Sequence, residues 1–127
     1  MTIAGNTGEH LRIPGLVAGV DLSAKRYHVV MLASTAKQVK VSTGPTVANI
    51  GVLQNDPKLN EAASVCGAGL TRAEAGGEIA AGDMITANTT GQCVATTTAN
   101  DKVIGKAITA AATAGDLFEV FLAPSNY

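Results

Sequence analysis

Short apolar runs separated by turn-forming residues dominate the chain, and this pattern predicts strands rather than long helices. Residues 27–32 are rich in β-branched and aromatic side chains, and residues 37–42 alternate polar positions with Val39 and Val41. The segment between these two runs is made of small residues, so together they predict an antiparallel hairpin. Residues 47–53 predict a further strand.

The second half of the chain repeats one turn sequence before an apolar run. Ala81-Gly82-Asp83 precedes Met84, and Ala114-Gly115-Asp116 precedes Leu117. Glycine adopts a positive φ without steric cost, and aspartate can bond the backbone of its own turn. Residues 84–98 predict a hairpin whose loop at 88–91 ends in a glycine suited to the left-handed conformation. We therefore predict these turn-forming structural residues: Gly82, Asp83, Gly91, Gly115 and Asp116.

The remaining segments carry mixed signals. Residues 103–108 and 117–122 predict a last strand pair, which Pro124 ends. Residues 60–70 favour a strand although they begin like a helix, and residues 71–75 favour a short helix or a turn. Residues 110–114 predict either one helical turn or a simple connection. Many short strands with closely spaced turns predict a mainly β fold, as a small β-barrel or sandwich with at most short helices.

Residues 1–15 predict an N-terminal arm, and residues 16–127 predict a single β-rich domain. The first residues are rich in turn formers, and Pro14-Gly15 forms a turn pair. Leu11 and Ile13 alternate with His10 and Arg12, which is the period of a strand with one buried face. Such an arm either docks on a partner or stays frayed.

Composition adds a reason to expect association. Aromatic residues make up 3% of the chain and Trp is absent, so the core is built mostly from Ala, Val, Ile and Leu. Small side chains bury less area per residue, and contacts with other subunits would supply part of the stability. The net charge of −1 excludes a strong general attraction to nucleic acid or to membranes. Residues 1–40 carry five bases and two acids, and the remainder carries four bases and eight acids. The N-terminal third of the chain is therefore mildly basic, and the rest is acidic.

Motifs for catalysis and for cofactors are missing from the sequence. Gly105-Lys106 is followed by Ala107 and lacks the earlier glycine of a phosphate-binding P-loop. Gly67 and Gly69 lack the third glycine of a dinucleotide fingerprint. His10 and His28 are candidates for a catalytic base only by elimination. We therefore predict no enzyme activity, no cofactor and no metal. No signal peptide and no membrane-spanning segment is predicted.

The two cysteines, Cys66 and Cys93, fit no metal-binding spacing. Each lies in a run of small and apolar residues, which predicts a buried thiol that packs as a small hydrophobic group. A disulfide between neighbouring strands is the alternative.

Four segments, in their order along the chain, resemble the capsid decoration (cement) proteins of tailed phages. They are residues 50–53 (Ile-Gly-Val-Leu), 80–85 (Ala-Ala-Gly-Asp-Met-Ile), 104–108 (Ile-Gly-Lys-Ala-Ile) and 114–122 (Ala-Gly-Asp-Leu-Phe-Glu-Val-Phe-Leu). The resemblance covers most of the chain from about residue 16. Some members of that family have been labelled recombinase-like, and the missing P-loop argues against that label here.

The resemblance implies a β-tulip-like domain that forms a homotrimer on the outer surface of an icosahedral shell. It implies binding to the major capsid protein between capsomers, in a virion assembled in the host cytoplasm. On this hypothesis the arm contacts the capsid through Ile3, His10, Leu11, Arg12 and Ile13. The alternatives are a stand-alone ligand-binding or carrier barrel and another phage structural protein of the fibre or tail. Biotinyl and lipoyl carriers need a lysine at a hairpin tip, and residues 88–91 contain none.

Overall fold

A computed structural model describes residues 10–127, and the described chain folds into a single sheet of ten strands. The strands are β1 (His10–Ile13), β2 (Val17–Ala18), β3 (Val29–Leu32), β4 (Gln38–Val41), β5 (Asn49–Leu53), β6 (Val65–Glu74), β7 (Met84–Ala87), β8 (Cys93–Ala95), β9 (Lys102–Ala107) and β10 (Leu117–Asn126). Their order across the sheet is β2-β4-β3-β5-β6-β10-β9-β7-β8, and β1 pairs with β6 outside this path. All pairings are antiparallel except that of β2 with β4.

The sheet forks at β6. One edge of β6 pairs with β1, between Val65 and Gly69. The other edge pairs with β5 at Val65 and Cys66, and then with β10 from Gly69 to Glu74. Because β5 and β10 share that edge, the sheet divides into two lobes. The N-terminal lobe contains β2 to β5, and the C-terminal lobe contains β7 to β10.

Each lobe has its own hydrophobic core, and three strands serve both. The first core is formed by Val29, Val52, Cys66, Ala73, Ala75, Ile79, Ile85, Ala87, Cys93, Ile104, Ala107, Ala111, Phe118, Val120 and Leu122. The second core is formed by Leu16, Ala18, Leu22, Val30, Val39, Leu53, Ala63 and Val65. Successive side chains of a strand point to opposite faces, so β3, β5 and β6 each give consecutive residues to the two cores. This arrangement explains why those strands contain unbroken apolar pairs rather than a simple alternation.

The predicted mainly β fold is confirmed. The predicted hairpins correspond to the pairs β3–β4, β7–β8 and β9–β10. The strand order ends at β2 and β8 in the described part of the chain, so the sheet is not closed. Isolated bridges, from Val17 to Ala62 and from Cys93 to Ala75, link these two end strands to the residues on either side of β6.

Two local predictions were wrong. Residues 71–75 were expected to form a helix or turn, but β6 continues to Glu74 because its outer half pairs with six residues of β10. Pro124 was expected to end the last strand, but β10 runs on to Asn126. Beyond Leu122 that strand pairs only with β9, on one edge, and a proline is tolerated where its missing N–H has no ladder partner.

Candidate functional site

The described part of the predicted arm is a short strand held by the domain itself. In β1, Arg12 lies opposite Cys66 and Ile13 lies opposite Val65. Ile13 is half-buried and packs against the second core. Leu11 is 71% exposed, and Arg12 is also exposed. This strand therefore presents an apolar and a cationic side chain side by side, on a backbone that β6 holds in place.

The expectation that Leu11 and Ile13 share one buried face was wrong. The register of β1 against β6 shifts between Leu11 and Arg12. A shift of this kind interrupts the alternation of the side chains, so Leu11 points to solvent while Ile13 packs inward. Ile3 lies outside the described residues, and His10 is described only as a backbone position in β1. The boundary between arm and domain at residue 15 stays a prediction.

A surface groove of about 370 Å³ runs beside this strand. Arg12 and Ile13 border it on one side, and Asn55 and Ser64 border it on the other. The Ser64 backbone N–H donates to the side-chain oxygen of Asn55 at 3.0 Å, which fixes that wall. The arrangement offers an apolar floor with polar rims, which suits contact with another protein chain rather than a reaction.

The two Ala-Gly-Asp turns have the same geometry. Gly82 has a φ of 94° and Gly115 has a φ of 92°. The Asp83 carboxylate accepts from the Ala80 N–H at 2.9 Å, and the Asp116 carboxylate accepts from the Thr113 N–H at 3.1 Å. Each carboxylate therefore bonds the start of its own turn and is engaged in structure.

The predicted hairpin loop is organised by Asn88. The Asn88 side-chain oxygen accepts from the backbone N–H groups of Thr90 and Gln92, both at 3.0 Å. Gly91 has a φ of 83°, and its carbonyl accepts from the Val29 N–H at 2.7 Å. The loop thereby ties the C-terminal lobe to β3.

His28, Glu74 and Gln92 form a polar cluster, and the Cys93 thiol lies close enough to feel the charge of Glu74. His28 Nε2 lies 3.4 Å from Glu74 Oε2, and the Gln92 side-chain amide donates to the same oxygen at 2.8 Å. Burial and the nearby charge of Glu74 raise the pKa of the Cys93 thiol to about 12. A thiol with that pKa stays protonated at neutral pH and is a poor nucleophile.

Both cysteines are buried free thiols, as predicted. Burial also raises the pKa of Cys66. Among residues 10–127, no group of three or more histidine, cysteine or acidic side chains is placed to hold a metal ion. No helix in this described range has the length and apolar character needed to cross a membrane.

Comparison with known proteins shows to which family this chain belongs. A family model described as phage cement protein matches residues 24–122. The chain belongs to the phage cement protein family. Cement proteins are structural proteins that bind the phage capsid, so this one is a capsid decoration protein associated with the virion. The resemblance to that family inferred from the sequence is confirmed.

A solved structure supports the fold of the cement protein. The crystal structure of the N base of head fiber gp8.5 in bacteriophage phi29 superposes with a TM-score of 0.64. The alignment covers 85% of this chain and 90% of that chain, at 18% sequence identity. Among curated proteins, none matches the sequence.

Proposed function

We propose that this cement protein binds the outer surface of the phage shell between capsomers, as a homotrimer, and stabilises the shell without catalysing a reaction. The family match over residues 24–122 carries this proposal. The partner would be the major capsid protein, and the complex would assemble in the host cytoplasm. A trimer contacts several coat subunits at once, so weak individual contacts add to a strong attachment.

The capsid contact would use the N-terminal arm, with Ile3, His10, Leu11, Arg12 and Ile13 as its candidate residues. Leu11 supports this assignment because a leucine that is 71% exposed has apolar surface to bury against a partner. Arg12 supplies a guanidinium next to it, which suits an acidic or carbonyl-rich edge. The β6 strand holds β1 in an extended form, so little ordering of this segment would be needed on binding.

Shell binding by arm variants tests this proposal. Purified wild-type protein, Leu11→Asp and Arg12→Glu are mixed with expanded shells, which are then pelleted, and the bound fraction is measured. We expect both variants to bind at least tenfold more weakly, because a buried charge or a reversed charge costs more than about 1.4 kcal/mol at a desolvated contact. Leu32→Asp is a matched control, since Leu32 is 43% exposed at the end of β3. Wild-type occupancy for both arm variants would reject the arm as the contact.

A second candidate is a base for a surface fibre, which the likeness to the head fiber N base favours. The two roles differ in what they do to the shell. A cement protein raises the temperature at which shells rupture, whereas a fibre base binds without that effect. Thermal rupture of decorated and bare shells therefore separates them.

A further inference from the structure

The outer face of the C-terminal lobe carries an apolar groove with a cation at its centre. In the register of the sheet, Lys106 lies between Met84 on β7 and Phe121 on β10. Met84 is 39% exposed and Phe121 is 49% exposed, although the chain contains only two phenylalanines. With Ile108, which is equally exposed, they border a groove of about 300 Å³. Their neighbours along the strands, such as Ile85 and Val120, face the first core, so this groove lies on the opposite, outward face.

The N-terminal lobe carries an apolar knob of matching character. The Asn60 N–H donates to the Ala18 carbonyl at 2.8 Å, and the Leu22 N–H donates to the Pro57 carbonyl at 2.9 Å. These two bonds hold the segment that contains Val20 beside the segment that contains Leu59. Val20 is 41% exposed and Leu59 is 54% exposed. The buried Leu22 anchors the segment in the second core, so the knob lies on a supported loop pair.

The charges around the two surfaces are complementary. In the described chain, Lys106 has no carboxylate within 4.0 Å, so the groove presents an unpaired cation. Within three residues of Val20 or Leu59 along the chain lie three acids, Asp21, Asp56 and Glu61, and one base, Lys58. Hydrogen bonds with Ser23 lower the pKa of Asp21 below its ordinary value of 3.8. The acidic residues beside the apolar knob are therefore complementary in charge to the lysine at the centre of the apolar groove.

We propose that the groove formed by Met84, Lys106, Ile108 and Phe121 receives the Val20–Leu59 knob of a second copy of this chain. The knob and groove are different surfaces of one chain, so the contact is heterologous and repeats from copy to copy until a ring closes. This proposal rests on the homotrimer proposed above and names the surfaces that build it. The three exposed apolar side chains of the groove and the two of the knob become buried, which offsets the sparse aromatic core.

The mass of variants in solution, measured by light scattering after size exclusion, tests the contact. At roughly 100 µM, where a contact with a micromolar Kd is almost fully formed, we expect the wild-type chain to run as a closed oligomer. Phe121→Glu and Leu59→Glu should each run at the chain mass of 12.8 kDa. The exposed Lys106→Glu should weaken association at least tenfold while leaving the thermal transition of the fold unchanged. The control Leu32→Glu, which lies outside both surfaces, should run like the wild type.

A mixing experiment then decides whether the contact is heterologous. Phe121→Glu keeps an intact knob, and Leu59→Glu keeps an intact groove. Mixed at equal concentration, the two monomers should form a dimer of twice the chain mass, since one native contact can form and no further one can. A monomeric wild type, or a mixture that stays monomeric while circular dichroism shows both variants folded, would overturn the proposal. Shell occupancy, measured separately on the same samples, reports on capsid binding, so failure of this contact is distinguishable from failure of the proposed function.

Discussion

Replacing Gly51 with alanine tests how closely β5 and β6 approach each other. A methyl group built on Gly51 would overlap the carbonyl oxygen of Cys66 and come within 2.9 Å of the Val65 side chain. The obstructing oxygen belongs to the backbone of the strand on which the sheet forks. It cannot rotate away, so the two strands must separate.

The expected cost follows from overpacking of a core. An extra methyl group in a well-packed interior costs about 1–3 kcal/mol, and a rigid backbone obstacle places this variant at or above the upper value. For a domain of this size, about 3 kcal/mol corresponds to a fall in melting temperature of roughly 10–15 °C. Both cores touch this crossing, through Val65 and Cys66, so the loss should appear in one cooperative transition.

Thermal unfolding of Gly51→Ala and Gly77→Ala at one protein concentration makes the comparison. A methyl group added at Gly77 would meet no atom within 4 Å, and φ there is not left-handed, so alanine should be neutral or stabilise the fold by up to about 1 kcal/mol. A fixed concentration removes any contribution from association. A Gly51→Ala transition within about 3 °C of the wild type would refute the close crossing of β5 and β6.

Three further predictions concern the turns and the buried thiol. Asp116→Ala should lower the free energy of unfolding by about 1 kcal/mol, because two backbone N–H groups lose their acceptor, whereas the exposed Asp56→Ala should change it by less than about 0.5 kcal/mol in denaturant titrations. Gly91→Ala should destabilise the hairpin by at least about 1 kcal/mol in the same assay, since φ is positive and the new methyl would overlap Val41. The folded-state pKa of Cys93, about 12, lies above its ordinary value of 9.0, so its contribution to stability is fully present below pH 9 and is lost as pH rises towards 12. That contribution, a slope of at most about 1.4 kcal/mol per pH unit, should be absent in Cys93→Ala, so the stability of the variant should fall less steeply above pH 9 than that of the wild type, and an equal slope in both would contradict the prediction.

Local pattern predicted most of the strands because their signals lie within a few residues. The run at 27–32 contains the four residues of β3, and the Ala-Gly-Asp repeat marks two turns with nearly equal φ values. The resemblance of four short segments to phage cement proteins predicted the family, and the family match over residues 24–122 confirms it. These features depend on side-chain type and turn geometry, which a sequence displays directly.

The pairing partners of β6 could not be predicted in this way. Its two edges receive three strands, from residues as distant as His10 and Leu122, and nothing local to Val65–Glu74 signals this. The register shift that turns Leu11 outward also depends on the partner strand. The same holds for the proposed knob, because the segments that contain Val20 and Leu59 are far apart in sequence and are joined by backbone hydrogen bonds in the fold. The pairing of strands that are distant in sequence determines which side chains are exposed, and the exposed side chains determine what the protein can bind.

Electron cryomicroscopy of expanded shells, imaged with and without the purified protein, tests the central claim most directly. We predict added density on the outer surface between capsomers, with β1 of each copy against the major capsid protein. Shells that show no added density at saturating protein, or density away from the outer surface, would contradict the account.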